Sequence, residues 1–310
     1  MDFLVGNTGF VGANLAASHA FDGAFHSTNV SDAFGANPDL LVYSGVPAEM
    51  FLANTNPEAD AARIDGAIEN IRRIAPRAVV LISTIAVLDD VKGTDETAAI
   101  DETRLTAYGR NRLALENWVR ENVEDHLIVR LPALYGKNLK KNFLYDLIQI
   151  IPARLTRAKY EELAARDARI AESYEDEGNG FFRCTVSDAQ RPALKESFER
   201  AGFSALNFTD SRSRYQFYNL GRLWGDIETL RANGVRLFHP ATEPVSAAEV
   251  YHFIKGGTFA NELAKPPFDY DYRTRHAALF GGENGYLLGK KQVLDDVAAF
   301  VRAAERGENA

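Results

Sequence analysis

The residues with the clearest capacity for chemistry lie in "LTAYGRNRLALENW" (105–118), where Tyr108 precedes Arg112 by four positions. On a helix that spacing sets both side chains on one face. A phenol beside a fixed cation suits proton transfer, while the same spacing also suits a solvated face on which Arg112 pairs with Glu116 one turn further on. A second candidate opens the chain: "FLVGNTGFVGANLA" puts Gly6, Gly9 and Gly12 after a short apolar run and at the start of helical spacing. Residues without Cβ allow a tight turn and close backbone approach to a pyrophosphate, and the following helix offers unpaired N–H groups and the positive end of its dipole. The spacing is G-x-x-G-x-x-G, one residue wider than the usual dinucleotide fingerprint. Three glycines serving only turn and packing are the plainer alternative.

These residues need a scaffold, and the apolar pattern supplies one. Runs at "FLV" (3–5), "LLVY" (40–43), "AVVLIS" (78–83) and "LIVRL" (127–131) alternate with helical spacing at Phe10–Ala20 and Ala61–Ile74. Strands apolar throughout are buried on both faces, and helices between them make parallel crossovers, so the pattern is a doubly wound α/β sheet. After Pro152 the texture turns charged and helical, then buried-strand texture returns at "YQFYNL" (215–220) and "VRLFH" (235–239). The expected division is therefore 1–152 for dinucleotide binding, with a return at 214–254, and a smaller, mostly helical substrate part from 153–213 and 255–310. Ser246 followed by Glu249 forms a capping box, "KKQVLDDVAAFVRAAE" is a last helix, and the terminal "RGENA" is expected to fray. "DYDYRTRH" fits either a polar wall of the smaller part or plain surface.

The whole chain narrows the function. Its 310 residues carry net charge −8 and 46% hydrophobic residues, which fits a soluble globular protein and disfavours nonspecific nucleic-acid or anionic-membrane binding. Cys184 is the single cysteine, which excludes an internal disulfide and a multi-cysteine metal site. The six histidines show no metal-ligand spacing, so no metal is expected. The first residues lack a basic n-region, and no apolar run approaches the roughly 18 residues of a membrane span. The cytoplasm is the expected location.

Taken in order, "GNTGFVG", "DLLVYSGVPA", "LISTIAV", "YGRNR" and "LIVRLPALYG" resemble the extended short-chain dehydrogenase/reductases, the family of nucleotide-sugar epimerases, dehydratases and reductases. The resemblance covers most of the chain and implies a Rossmann-like sheet. It implies NAD or NADP, held by Gly6, Asn7, Thr8, Gly9, Phe10, Val11 and Gly12, by Asn29 after the second strand, by Ser44, Gly45 and Val46 after "LLVY", which the family counts as its fourth strand, and by Arg112 and Pro132 beside the nicotinamide. Tyr108 becomes the general acid/base, Thr84 the holder of the substrate oxygen and Arg112 the ligand of the nicotinamide ribose. Thr84, Ala133, Asn142 and Tyr215 fall where relatives touch substrate. A neighbouring cation and the positive nicotinamide ring would favour the tyrosinate.

Departures from the family pattern shape the expected reaction. Arg112 replaces lysine, which keeps the charge but cannot relay a proton. Ile85 and Ala86 stand where dehydratases carry an Asp-Glu pair, so water elimination is not expected. Ala133 replaces a polar residue, commonly asparagine. After the second strand, "FHSTNVSD" offers neutral Ser27, Thr28 and Asn29 before Asp32 and no arginine, leaving NAD against NADP open. The expectation is an NAD(P)-dependent reductase or epimerase acting at a carbonyl or hydroxyl of a sugar, nucleotide-linked in the leading version. Two alternatives stay open: a catalytically degenerate dinucleotide-binding regulatory protein, and a reductase of a non-sugar carbonyl, retained because of the unusual insertion at 157–200. "NRLALENWVREN" has spacing for a homodimer face or for packing on its own sheet.

Overall fold

The computed structural model describes residues 1–308, so Asn309 and Ala310 of the terminal "RGENA" lie outside the described residues. The first half runs β1 (Asp2–Val5), α1 (Phe10–Ser18), β2 (Gly23–Phe25), β3 (Leu40–Tyr43), α2 (Met50–Thr55), α3 (Pro57–Ile74), β4 (Ala78–Thr84), α4 (Ala107–Asn122), β5 (Asp125–Leu131), β6 (Ala133–Tyr135) and α5 (Phe143–Gln149). Then follow β7 (Arg154–Thr156), α6 (Arg157–Ala164), α7 (Ala168–Glu172), β8 (Tyr174–Asp176), β9 (Phe181–Cys184), α8 (Arg191–Ala201), β10 (Arg214–Tyr215), β11 (Phe217–Asn219), α9 (Leu223–Ala232), β12 (Leu237–Phe238), β13 (Val245–Ser246), α10 (Ala247–Lys255) and α11 (Lys290–Glu305).

Six strands form the central sheet in the order β12-β5-β4-β3-β1-β2, every pair parallel. All four residues of β3 are buried, which is why that run carries no polar alternation. One face packs against α3 and α4 through Ile64, Ile71, Leu115 and Val119. The other packs against α1 and α9 through Leu15, Trp224, Ile227 and Leu230. The apolar spacing of "NRLALENWVREN" is thus used by the chain's own sheet. Capping follows the sequence at α10, where Ser246 Oγ accepts from Glu249 N and Glu249 Oε2 accepts from Ser246 N.

Two expectations need correction. "LLVY" is the third strand, not the fourth, because residues 26–39 form a short 3-10 turn at Val30–Ala33 and no strand. The insertion after Pro152 is less helical than its charge suggested: β7, β9 and β8 form an antiparallel sheet, with α6, α7 and α8 around a separate small core containing Leu155, Leu163, Ile170, Phe182 and Phe198. The missed signal is "DEGNGFF", where Gly178 (φ 71°) and Gly180 (φ 88°) turn β8 back into β9. The return to the main sheet is carried by β12; β11 instead pairs with β6 and β10 with β13, at the rim above the carboxyl ends of β4 and β5. Among the described residues no helix is long and apolar enough to cross a membrane.

Candidate active site

The glycine turn is a backbone construction. Gly6, at φ 96°, donates its N–H to Phe25 O at 2.7 Å, and a Cβ there would sit 2.5 Å from Ser44 O. A Cβ on Gly12 would lie 2.0 Å from Gly6 O, so helix and turn touch at a distance only hydrogen permits. At Gly9 an added Cβ meets nothing nearer than Gly6 O at 3.3 Å. Gly9 caps α1 without a side-chain oxygen, which leaves the first-turn amides of Phe10, Val11 and Gly12 for an incoming anion. Asn7 Oδ1 is buried in this turn without a partner, an acceptor that lacks its donor. Thr8 is exposed, and the Phe10 and Val11 side chains pack on the core, so their contribution toward a phosphate is main-chain. A dinucleotide pyrophosphate fits this donor set.

At the end of β2, Asn29 Oδ1 accepts from His26 N at 2.7 Å and the Thr28 hydroxyl meets His26 Nδ1 at 3.0 Å. The turn closes on itself and presents neither carboxylate nor guanidinium. Ser44 Oγ donates to Val5 O at 3.0 Å, Gly45 is exposed, and Val46 packs beside the α3 face of the sheet.

The tyrosine end is built from side chains. Thr106 caps α4 by accepting from Gly109 N at 3.2 Å, and Asn54 Oδ1 accepts from Tyr108 N at 3.0 Å. Gly109, which sequence reasoning passed over, lets α4 lie against the loop after β4: a Cβ there would be 2.3 Å from Ala86 O. Tyr108 is buried, and Thr84 Oγ1 accepts from Ala86 N at 3.2 Å in the loop on which α4 rests. The Arg112 guanidinium lies 4.3 Å from the Tyr108 ring centroid.

Arg112 does not pair with Glu116, nor does it lie on a solvated face. Its Nη1 donates to Asp60 Oδ2 at 2.7 Å, and its Nη2 to Asp60 Oδ1 at 3.1 Å and Pro47 O at 2.8 Å, with both charged side chains buried. Asn111 adds a bond to Asp60 Oδ2 at 2.9 Å. Burial opposes ionisation of Asp60, but the bonds from Arg112 and Asn111 prevail and hold its carboxyl below the usual range. Burial raises the Tyr108 phenol above its ordinary value, outweighing the opposing effect of Arg112, while Asp60 adds to the rise.

Behind the pair lies a network that sequence spacing did not reveal. Glu116, fully buried, accepts from Ser83 Oγ at 2.5 Å and from Arg120 and Arg130 at 2.7 Å each. Arg130 reaches His239 Nε2 at 3.2 Å, and His239 N donates to Glu96 Oε1 at 2.8 Å. Burial pushes His239 down to about 4, with Arg130 beside it acting in the same direction. Ser83 and Arg130 immediately flank Thr84 and the Leu131–Pro132 step, so this network fixes the strand ends that face the cleft. Among the described residues no cluster of His, Cys, Asp or Glu could hold a metal ion.

A cavity of about 420 Å³ opens beside Thr84, lined by Pro132, Ala133, Tyr215, Phe268, Tyr270 and Tyr272 among others. Part of "DYDYRTRH" is therefore a pocket wall. The only cation on its lining, Arg104, is paired with Asp89 at 3.1 Å. Tyr108 lines an adjoining cleft of about 450 Å³ with Lys141 and residues 48–52. Asn142, expected at the substrate, is taken up by the fold: at φ 122° it caps α5, accepting from Tyr145 N at 3.1 Å and donating to Leu134 O at 2.8 Å. Thr84, Ala133 and Tyr215 do share one cavity.

A parallel sheet with a glycine turn after its first strand, Thr84 at the end of β4 and Tyr108 at the start of α4 is the arrangement of an extended short-chain dehydrogenase/reductase. The chain belongs to the family described as the RmlD substrate binding domain, whose model matches residues 3–157. Among solved structures, dTDP-4-dehydrorhamnose reductase from Bacillus anthracis in complex with NADP is 16% identical, with 96% of each chain covered and a TM-score of 0.60. The reductase of that name from Yersinia enterocolitica is 12% identical over 97% of this chain and 98% of its own, with a TM-score of 0.62. UDP-glucose 4-epimerase from Thermotoga maritima is 13% identical over 99% of each chain, with a TM-score of 0.56. At these identities the likeness speaks for the fold. No curated protein matches the chain.

Proposed function

We propose that this chain is an NAD(P)-dependent reductase of a carbonyl compound, with Tyr108 as proton donor. The observation that carries the reading is the placement of Thr84 in the wall of the cavity and of the buried Tyr108, beside the Arg112 guanidinium, in the wall of the adjoining cleft. A reduced nicotinamide nucleotide, when bound, supplies the hydride for the carbonyl carbon. The amides of residues 10–12 would hold its pyrophosphate, and Ser44, Gly45, Val46 and Pro132 would border its course toward Thr84. Thr84 donates to the substrate oxygen and fixes its direction. As charge grows on that oxygen, Tyr108 gives it the phenolic proton, and solvent restores the proton afterwards.

For the substrate, a keto sugar carried on a nucleotide is the leading class, in keeping with what the dTDP-4-dehydrorhamnose reductases among the structural neighbours are named for. Reduction is favoured over epimerisation because a retained proton serves an incoming hydride directly, whereas epimerisation must also begin from an alcohol. Ile85 and Ala86 supply no acid or base for elimination, although a neighbour of similar fold is an NDP-hexosamine 5,6-dehydratase. The occupied guanidinium of Arg112 favours a second reading, a dinucleotide-binding protein without turnover. The deciding experiment follows NAD(P)H consumption with dTDP-linked and UDP-linked 4-keto sugars and with small aromatic ketones. Turnover that falls by about 10²-fold or more in Tyr108→Phe, with NAD(P)H still bound, supports the reductase; nucleotide binding without consumption of NAD(P)H on any of these carbonyls supports the second reading.

A further inference from the structure

The partner of Arg112 changes what the Tyr-Arg pair can be. In the lysine version of this site, the cation is available to ribose and to the phenol. Here two N–H groups of the guanidinium fork meet both oxygens of Asp60 and another meets Pro47 O, while the face of the guanidinium lies against the Tyr108 ring. Asn111 holds the same carboxylate from the next position along α4. Three segments distant in sequence, the loop after β3, α3 and α4, are thus pinned together directly beneath the phenol.

We propose that Asp60 and Arg112 act as a single uncharged unit, a positioning pair that holds the Tyr108 ring against the guanidinium while placing no net charge beside its hydroxyl, which commits Tyr108 to donating a proton to a carbonyl. The inference rests on reading Tyr108 as the reacting phenol. The geometry also explains how arginine replaces lysine here: a bidentate carboxylate suits a planar fork and suits an ammonium poorly. The remaining charges around Tyr108 leave this balance standing. Glu49, on the cleft wall, is paired with Arg63 at 2.8 Å, and Lys141 donates to Ala48 O at 3.1 Å from an exposed position. Thr84 on β4 and Asn54 on α2 are neutral. Asp60 touches neither substrate nor cofactor in this scheme; its effect runs through Arg112.

The experiment titrates the phenol and needs no substrate. The full chain, labelled with ¹³Cζ-tyrosine, is followed by NMR against pH, and Tyr108→Phe assigns the resonance. Asp60→Asn exposes the phenol to an unmatched guanidinium and is expected to lower the proton affinity of Tyr108 about tenfold or more. The double variant Asp60→Asn/Arg112→Gln replaces a neutral pair by a neutral pair and is expected to titrate within about twofold of wild type. A single variant that titrates like wild type overturns the proposal, because Asp60 then offsets no charge that the phenol feels; a double variant whose phenol holds its proton about tenfold more tightly than wild type overturns it too, because Arg112 then acts as a net cation. Should Asp60→Asn not fold, the double variant alone carries the test. Failure of the reductase reading, by contrast, would show as absent turnover with the titration unaltered.

Discussion

The glycine turn and the start of α4 are made of different materials. At the glycine turn, the determinants are missing side chains: Gly6 and Gly12 touch main chain where a Cβ cannot fit, and the groups left without a side-chain cap are amides. At α4, the determinants are side chains that recruit partners from afar, with Arg112 joined to Asp60 and Glu116 to Arg130 and Ser83. A backbone site is fixed by local geometry and tolerates almost no added atom. A side-chain site depends on charge matching, and removing one member strands the other.

That contrast can be broken in order of severity. Glu116→Gln leaves Arg130 and its neighbours in a buried site without their carboxylate, and a loss of about 3–5 kcal/mol in stability is expected by denaturant unfolding. A loss below about 1 kcal/mol would mean that the network is not sustained by charge pairing. Gly12→Ala forces a methyl to within 2.0 Å of Gly6 O. It is expected to lose about 3 kcal/mol and to abolish NAD(P)H binding measured by fluorescence, whereas Gly9→Ala stays within about 1 kcal/mol of wild type. Equal stability of the two alanine variants would remove the basis for treating the turn as a close backbone contact.

The smallest effect sharpens the side-chain half. His239 is held neutral at about 4, below its unfolded value of 6.5, so the folded state binds fewer protons between those values. Its contribution to stability is fully present above pH 6.5 and is lost as pH falls toward 4. Asp146 works in the opposite sense: burial raises it from 3.8 to about 7, so its contribution improves as pH falls through that range. The comparison is therefore wild type against His239→Gln by thermal unfolding from neutral pH to pH 4. The variant should show a shallower acid decline, and parallel curves would place His239 outside the acid response.

The same contrast decides what the sequence made legible. Uniformly apolar strands, the Gly6–Gly12 turn, the Ser246 capping box and α11 are local patterns, each determined by period or by a missing Cβ. The positions of Thr84 and Tyr108 followed from their order among family motifs. Asp60 could not be found this way, since it sits within an ordinary charged helix and no spacing links it to Arg112. The hairpin of β8 and β9 was hidden by charged residues that suit a helix equally, with only Gly178 and Gly180 marking the turn. Asn142 shows the converse: family position suggested a ligand, but its positive φ, its cap bond to α5 and its bond to Leu134 O on β6 give it a structural task.

The most direct test of the central claim is a crystal structure of the full chain grown with NADP. Pyrophosphate oxygens are expected on the amides of residues 10–12, with the nicotinamide ring lying toward the Thr84 and Tyr108 hydroxyls. A dinucleotide bound elsewhere, or one whose nicotinamide turns to solvent and leaves Tyr108 uncontacted, would contradict it.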